Sequence, residues 1–253
     1  MKNFLYQTNI NFKRIILRNM RFFFFDLLLP IIFYLLYTRV LSSGIPKSAM
    51  TTWNADYLVS MIVFSCLLGS IITVSNNLLE DHTSHFDLFV EISPLSKIKY
   101  YASLIVVFLT LNLISVITIS LVGIFVNHVN LPLRKLLLVT INNLLGSLTL
   151  ILVGILISFA KTPSTVNLLN SLAVFPVAML SGLWWPLNMM PNWLQTVGKL
   201  LPPYAISNIN NSIINSAKID ISNGANILSW FIVLLTVIAI ALKLPNHKEL
   251  ASE

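Results

Sequence analysis

The sequence predicts an all-α integral membrane protein of about six transmembrane helices, preceded by an amphipathic helix in the membrane interface. Three observations predict it. Of the 253 residues, 56% are hydrophobic and only 10% charged, against about 25% charged in an ordinary soluble domain. Mean hydropathy is +0.82. The apolar residues gather into six runs close to the length of about 20 that a helix needs to cross a hydrocarbon core about 30 Å thick. So few charges cannot cover a water-exposed surface, so lipid is the solvent for most of the exterior. The runs leave no room for a soluble domain, and residues 1–253 read as one transmembrane unit.

Residues 1–21 come first. Gln7, Asn11, Arg14, Arg18 and Arg21 recur at helical spacing, with Leu5, Phe12, Ile16 and Met20 across from them. That pattern describes a helix lying in the interface. Its spread of charges, and the lack of a small-residue cleavage site after it, differ from a cleavable signal. The runs then fall at about 22–41, 58–78, 101–126, 136–159, 166–184 and 227–242. Backbone polar groups find no water inside lipid, so each run is read as a helix; the alternating pattern of barrel strands is missing. Pro176 sits inside the fifth run and should bend it.

Lys and Arg set the orientation. With the N-terminus inside, ten of the 16 basic residues lie on the inner segments and six on the outer ones. That bias favours both termini in the cytoplasm. The net charge of +7 belongs to these helix ends, and no basic, aromatic-interleaved stripe suggests nucleic acid. The lone Cys66 has no partner for an internal disulfide.

Charge at mid-membrane depth is the usual mark of ion-coupled transport, and the interiors of the six runs hold none. Arg39 can snorkel from the outer end of the first run. Asp26 reads as an interfacial carboxylate balanced by Arg21 or Arg18. Asn76, Asn77, Asn112, Ser115, Thr118, Asn142, Asn143, Ser147, Asn167 and Asn170 read as interhelical hydrogen-bonding groups, and Gly146 and Gly154 as sites of close helix approach. Catalytic settings are missing. His82 and His85 lack the spacing of a metalloprotease pair, so no metal site is assigned. No phosphate-cradling glycine loop with its Lys-Ser/Thr is present, since Gly198–Lys199 lacks both the upstream glycine and the hydroxyl residue. The chain is therefore expected to bind no cofactor itself.

Two segments carry a family resemblance. The first reads Ser181-Gly-Leu-Trp-Trp-Pro-Leu-Asn-Met-Met-Pro-Asn-Trp-Leu194, followed by Leu200-Leu-Pro-Pro203. The second is the loop after the second run, ending Ser93-Pro-Leu-Ser96 with Lys97, Lys99, Tyr100 and Tyr101 behind it. In order and spacing they resemble the ABC-2 type permeases, the membrane subunits of bacterial ABC exporters for drugs, antibiotics and antimicrobial peptides. The loop departs from the family pattern at Ser84 and His85, where a basic residue and a glycine are usual.

The resemblance implies a multi-pass permease in the bacterial cytoplasmic membrane. A second permease copy or a sister subunit would pair with it. ATP and Mg would be bound by two separate cytoplasmic ATPase subunits. It also implies a coupling loop carrying Glu80, Asp81, His82, His85, Asp87, Glu91 and Pro94. Outside, it implies a re-entrant gate before the last run, built from Gly182, Trp184, Trp185, Pro186, Pro191, Trp193 and Pro202, with the three tryptophans at headgroup level. Prolines break helical hydrogen bonding, and such backbone survives at membrane depth only where protein or water covers it. The expected cargo is a hydrophobic or amphipathic compound moved outward, for self-resistance. The rivals are export of a lipid-linked polysaccharide or wall polymer, and a non-transporting assembly factor or intramembrane enzyme.

Overall fold

The computed structural model describes residues 2–17, 23–86, 97–160 and 162–243. Every regular element among them is helical. Helix α1 is Lys2–Phe12, continued by a π turn over Lys13–Leu17. The first predicted span is α2, a helical run over 23–40 whose α-helical centre, Leu29–Leu35, is flanked by π segments at Phe23–Leu28 and Leu36–Val40. Then come α3 (Met50–Thr83, with a π turn at Gly69–Thr73), α4 (Lys97–Asn127), α5 (Leu133–Ser158) and α6 (Pro163–Leu180). A short 3₁₀ turn at Leu187–Met189 precedes α7 (Asn192–Leu200), α8 (Pro202–Ile214) and α9 (Ile221–Lys243). Five of these, α3, α4, α5, α6 and α9, are long and apolar enough to cross a membrane. Arg18 and Arg21 lie outside the described residues.

Helix α3 is the axle of the bundle. Its apolar window is 89% buried, against 44% for α4 and α5, 22% for α6 and 6% for α9. At about 1.5 Å per residue, its 34 residues run about 51 Å, well beyond a core of about 30 Å. The predicted span, 58–78, was too short at both ends. Polar residues there looked like loop, but Asn54 and Asp81 are 9% and 5% exposed and sit inside the protein. Arg14 and Tyr100 satisfy Asp81 inside the protein, and the helix continues through both positions.

Three more boundaries differ from the sequence reading. The fifth span begins with Pro163 in its first turn, where the lost N–H costs nothing, and runs on through Pro176. It ends at Leu180 rather than Trp184, because the chain reverses at Gly182, whose φ of +75° suits a residue without Cβ. The last helix starts six residues earlier than 227, at Ile221. Largest of all, a further helix, α8, lies between the predicted runs 166–184 and 227–242. It buries Pro202, Ala205, Ile206, Ile209, Asn210 and Ile214, packed against α3, α5 and α9. Its asparagines break up the apolar run, yet two of them, Asn208 and Asn210, are bonded to neighbouring helices. Asn142 donates to Asn210 Oδ1 at 2.8 Å and to the Ile206 carbonyl at 3.1 Å. Asn223 donates to Asn208 Oδ1 at 3.1 Å.

Among the polar residues expected to join helices, Asn112, Asn142 and Asn170 do so. Asn112 donates to Ser70 at 2.9 Å, and Asn170 accepts from Ser75 at 2.8 Å. Asn77, Thr118 and Asn143 instead bond the carbonyl four residues back in their own helix, which satisfies them without a neighbour.

Candidate functional site

The contacts sort the molecule into two ends, one holding α1 and the α3–α4 corner, the other holding the 181–201 hairpin and the start of α9. At the terminal end, α1 is fastened to the α3–α4 corner by its polar side. Arg14 grips Asp81 with both guanidinium nitrogens, at 2.5 and 3.1 Å. Tyr100 donates to the same carboxylate at 2.5 Å, and Arg14 lies 4.8 Å over the Phe86 ring. Asn11, fully buried, donates to Ser103 at 2.8 Å. Of the side expected to be apolar, Phe12 packs on the cluster of Ile15 and Tyr100, while Tyr6 and Ile10, on the flank between the two sides, are 69% and 39% exposed. Burial disfavours the Arg14 charge. Asp81 and Tyr100 more than offset this, and the guanidinium is held above its ordinary value.

This changes the reading of the expected coupling residues. Glu80 and Asp81 are neighbours on one helix, so their side chains point about 100° apart. Asp81 turns inward to Arg14, while Glu80 stays exposed. His82 and His85 are exposed as well. The helix ends where Ser84 Oγ donates to the Glu80 carbonyl at 2.6 Å, and His85 takes a left-handed φ of 56°. Asp87, Glu91 and Pro94 lie outside the described residues.

Halfway along the bundle sits a group the sequence placed at the interface. Asp26 is 1% exposed. Thr73 donates to its Oδ2 at 2.6 Å, and Ser65 donates to its backbone carbonyl. A Cβ built on Gly69 would touch Asn112 Oδ1 at 2.9 Å and Asp26 Oδ2 at 3.2 Å. Asp26 therefore lies beside Asn112, the middle residue of α4, about 22 Å along that helix from either end. Its Oδ1 has no hydrogen-bond partner, and no cationic side chain pairs with it among the described residues. The first predicted run thus carries a buried carboxylate, whose expected partners Arg18 and Arg21 lie outside the described residues. An unpaired buried carboxylate is unfavourable in this setting. Asp26→Asn keeps an acceptor for Thr73 and removes the charge, so its melting temperature in detergent should equal or exceed that of the parent. A clear drop would mean that the ionised group has a partner.

The hairpin end is built from the turn at Gly182. The Gly182 and Leu183 amides bond the Met179 and Ala178 carbonyls, both at 3.1 Å, closing α6. Trp184 then folds inward. Its ring meets Phe33, Phe64 and Phe175 within 6.2 Å, centroid to centroid, while Trp185 and Trp193 stay 45% and 68% exposed. Of the three tryptophans expected at the headgroups, Trp184 is turned into the bundle. Pro186 and Pro191 stand before the 3₁₀ turn and α7 respectively, and Pro202 starts α8. Helix α7 presses on α6 so closely that a Cβ at Gly198 would lie 2.2 Å from the Leu180 carbonyl. Tyr57 donates to the Trp184 carbonyl at 3.3 Å, and Trp230 to the Leu200 carbonyl at 2.8 Å, tying the hairpin to α3 and α9.

Between α3, the 181–187 turn and α8 lies a polar cavity of about 170 Å³, with Asp56, Tyr57, Ser181, Tyr204, Ser207 and Asn211 in its wall. An apolar cavity of about 290 Å³ borders the same hairpin at Met179, Trp185, Met189, Met190 and Leu194. Asp56 and α8 were the residues that sequence reading missed. Asp56 is the acid that precedes the second apolar run by two residues, which was the available signal.

Comparison with known proteins agrees with this architecture. Residues 38–243 match the family described as ABC-2 family transporter protein. The chain is also 27% identical over 202 residues to "Putative transport permease YvfS" of Bacillus subtilis (strain 168), covering 80% of this chain and 82% of that one.

Proposed function

The chain belongs to the ABC-2 family of transporter proteins, and from that premise, a multi-pass membrane permease, we propose that it forms the membrane half of an ATP-driven exporter. Two permeases, identical or sister chains, would join two ATPase subunits that bind ATP and Mg at the terminal end, facing the cytoplasm. The cargo would be a hydrophobic or amphipathic compound moved outward, in keeping with self-resistance.

One observation carries this reading. Helix α3 runs unbroken from the polar cavity at Asp56 to the exposed Glu80 and His82. A push at one end of a buried helix must shift the other, because packed interiors do not yield continuously. The Arg14–Asp81 pair stiffens the driven end. Glu80 then offers an exposed carboxylate to basic groups on a partner.

The test uses the permease co-purified with its ATPase in lipid nanodiscs. Glu80→Lys should leave the permease folded, because the side chain is exposed. It should lower cargo-stimulated ATP hydrolysis, or the yield of complex, by about tenfold, as expected when a charge pair at an interface is reversed. Unchanged assembly and hydrolysis would remove Glu80 from the contact. Failure of any ATPase to co-purify would remove the exporter reading itself.

A further inference from the structure

We propose that the polar cavity at the hairpin end binds the protonated amine head of an amphipathic cation, with Asp56 as its counter-charge. This deepens the exporter reading by naming a cargo class, and the site stands on its own geometry.

The wall of the cavity carries one charged group among several uncharged polar ones. Asp56 brings a carboxylate, with the Asn215 amide as its hydrogen-bonding neighbour. Asn211 Oδ1 is buried and has no partner. Ser181, 2% exposed, has its Oγ buried and unpartnered as well. Some donors are spent within the fold, while the hydroxyls of Ser181, Ser207 and Tyr204 and the Asn211 amide nitrogen remain able to donate. Ser60 Oγ donates to the Asp56 carbonyl at 3.0 Å, and Tyr57 donates to the Trp184 carbonyl at 3.3 Å. Both amide ends of Asn208 are engaged, with Tyr204 and with Asn223. No Lys, Arg or His is among the lining residues. The Asp56 carboxylate is the one charged group in the wall, so it favours a ligand that brings N–H donors and positive charge over an anion. An ammonium satisfies both needs, and the rings of Tyr57 and Tyr204 in the same wall suit a cation.

Size and surroundings define the rest of the ligand. About 170 Å³ accommodates a head group and not a bulky molecule. The apolar cavity on the same hairpin, about 290 Å³ and rich in methionine, shares no lining residue with the first; it suits a tail of variable shape that reaches across the hairpin, because Met side chains adapt to irregular partners. The 181–187 turn lines the head-group cavity, and Trp185 within it lines the apolar one. Ligand binding there would bear directly on the turn closed by Gly182.

The experiment measures binding to the permease alone, in nanodiscs of zwitterionic lipid, without ATPase or transport. Failure of the site and failure of the exporter reading are therefore separate results. The probe is dansylcadaverine, a primary amine on a five-carbon arm with an aromatic tail. Energy transfer from the tryptophans to dansyl should rise and saturate. Asp56→Asn should weaken the affinity at least tenfold, and Asp56→Glu should keep it within about threefold. The same probe ending in a hydroxyl, and a maltoside, should compete at least tenfold less well than an alkylamine. Absence of saturable binding, equal binding to Asp56→Asn, or equal competition by the hydroxyl analogue or the maltoside would each overturn the proposal. The competition series uses only the parent protein, so it decides the matter even if the variants fail to fold.

Discussion

Arg14→Leu is expected to lower the stability of the purified protein by about 3 kcal/mol or more, and Asp81→Leu by distinctly less. Removing one partner of a buried ion pair typically costs about 3–5 kcal/mol, because the other charge is left without compensation. The two partners are not equally trapped. The Arg14 side chain is 31% exposed, that of Asp81 only 7%. A widowed Arg14 can swing its long stem toward the headgroups, with Phe86 beneath it. A widowed Asp81 sits at the end of a packed helix with Tyr100 as its remaining partner. The double variant Arg14→Leu/Asp81→Leu should recover most of the loss, since an apolar pair of similar volume often does as well as a buried ion pair. Melting in detergent, followed by light scattering or tryptophan emission, reads all three. Losses that simply add in the double variant would show that the two side chains act independently, and that α1 is held by Asn11 and apolar contact instead.

Gly154→Ala should be the more damaging of the two single methyls that can be added to the glycines of α5. A Cβ at that position would stand 2.6 Å from the Ser70 carbonyl oxygen, 3.1 Å from the Ile71 carbonyl and 3.0 Å from Val74 Cβ. Two of these atoms are backbone and the third is a β-carbon fixed to it, so α5 and the π turn of α3 must separate. Overpacking of this kind costs about 1–3 kcal/mol. Gly146→Ala is the informative comparison. Its Cβ would meet Ile206 at 2.5 Å, but the nearest atoms are Cδ1 and Cγ1, the end of a side chain that can change rotamer. It should cost less. Gly224→Ala, with nothing within 4 Å, should cost nothing and gain slightly from helix propensity. Folded yield after extraction should therefore fall in the order 224, 146, 154. Equal yields for 154 and 224 would contradict the close approach of α5 to α3.

Both predictions rest on contacts that a reading along the chain does not reveal. The glycines at 146 and 154 were legible as small residues on an apolar helix. Which of them meets backbone and which meets a movable side chain was not. Asp81 looked like a surface acid because three acidic or imidazole side chains stand beside it in a polar stretch. Its partner lies 67 residues away in sequence. Asp26 looked interfacial because it is close to the basic residues that precede it, yet it packs beside Asn112, through the bare Cα of Gly69.

The sequence alone determined the membrane class, the approximate positions of the apolar runs and the proline punctuation between α6 and α8. Each follows from local quantities: the free energy of moving a run of side chains into lipid, and the missing N–H of proline. Tertiary structure alone decided how far α3 extends, that α8 is a buried helix, which way α1 turns its polar stripe, and that an acid stands at mid-bundle. In each case a polar group is kept out of water by neighbours distant in the chain, as Asn142 is for Asn210 across 68 residues. The cost of burying a polar group depends on whether that partner arrives, and no sum over adjacent residues contains the answer.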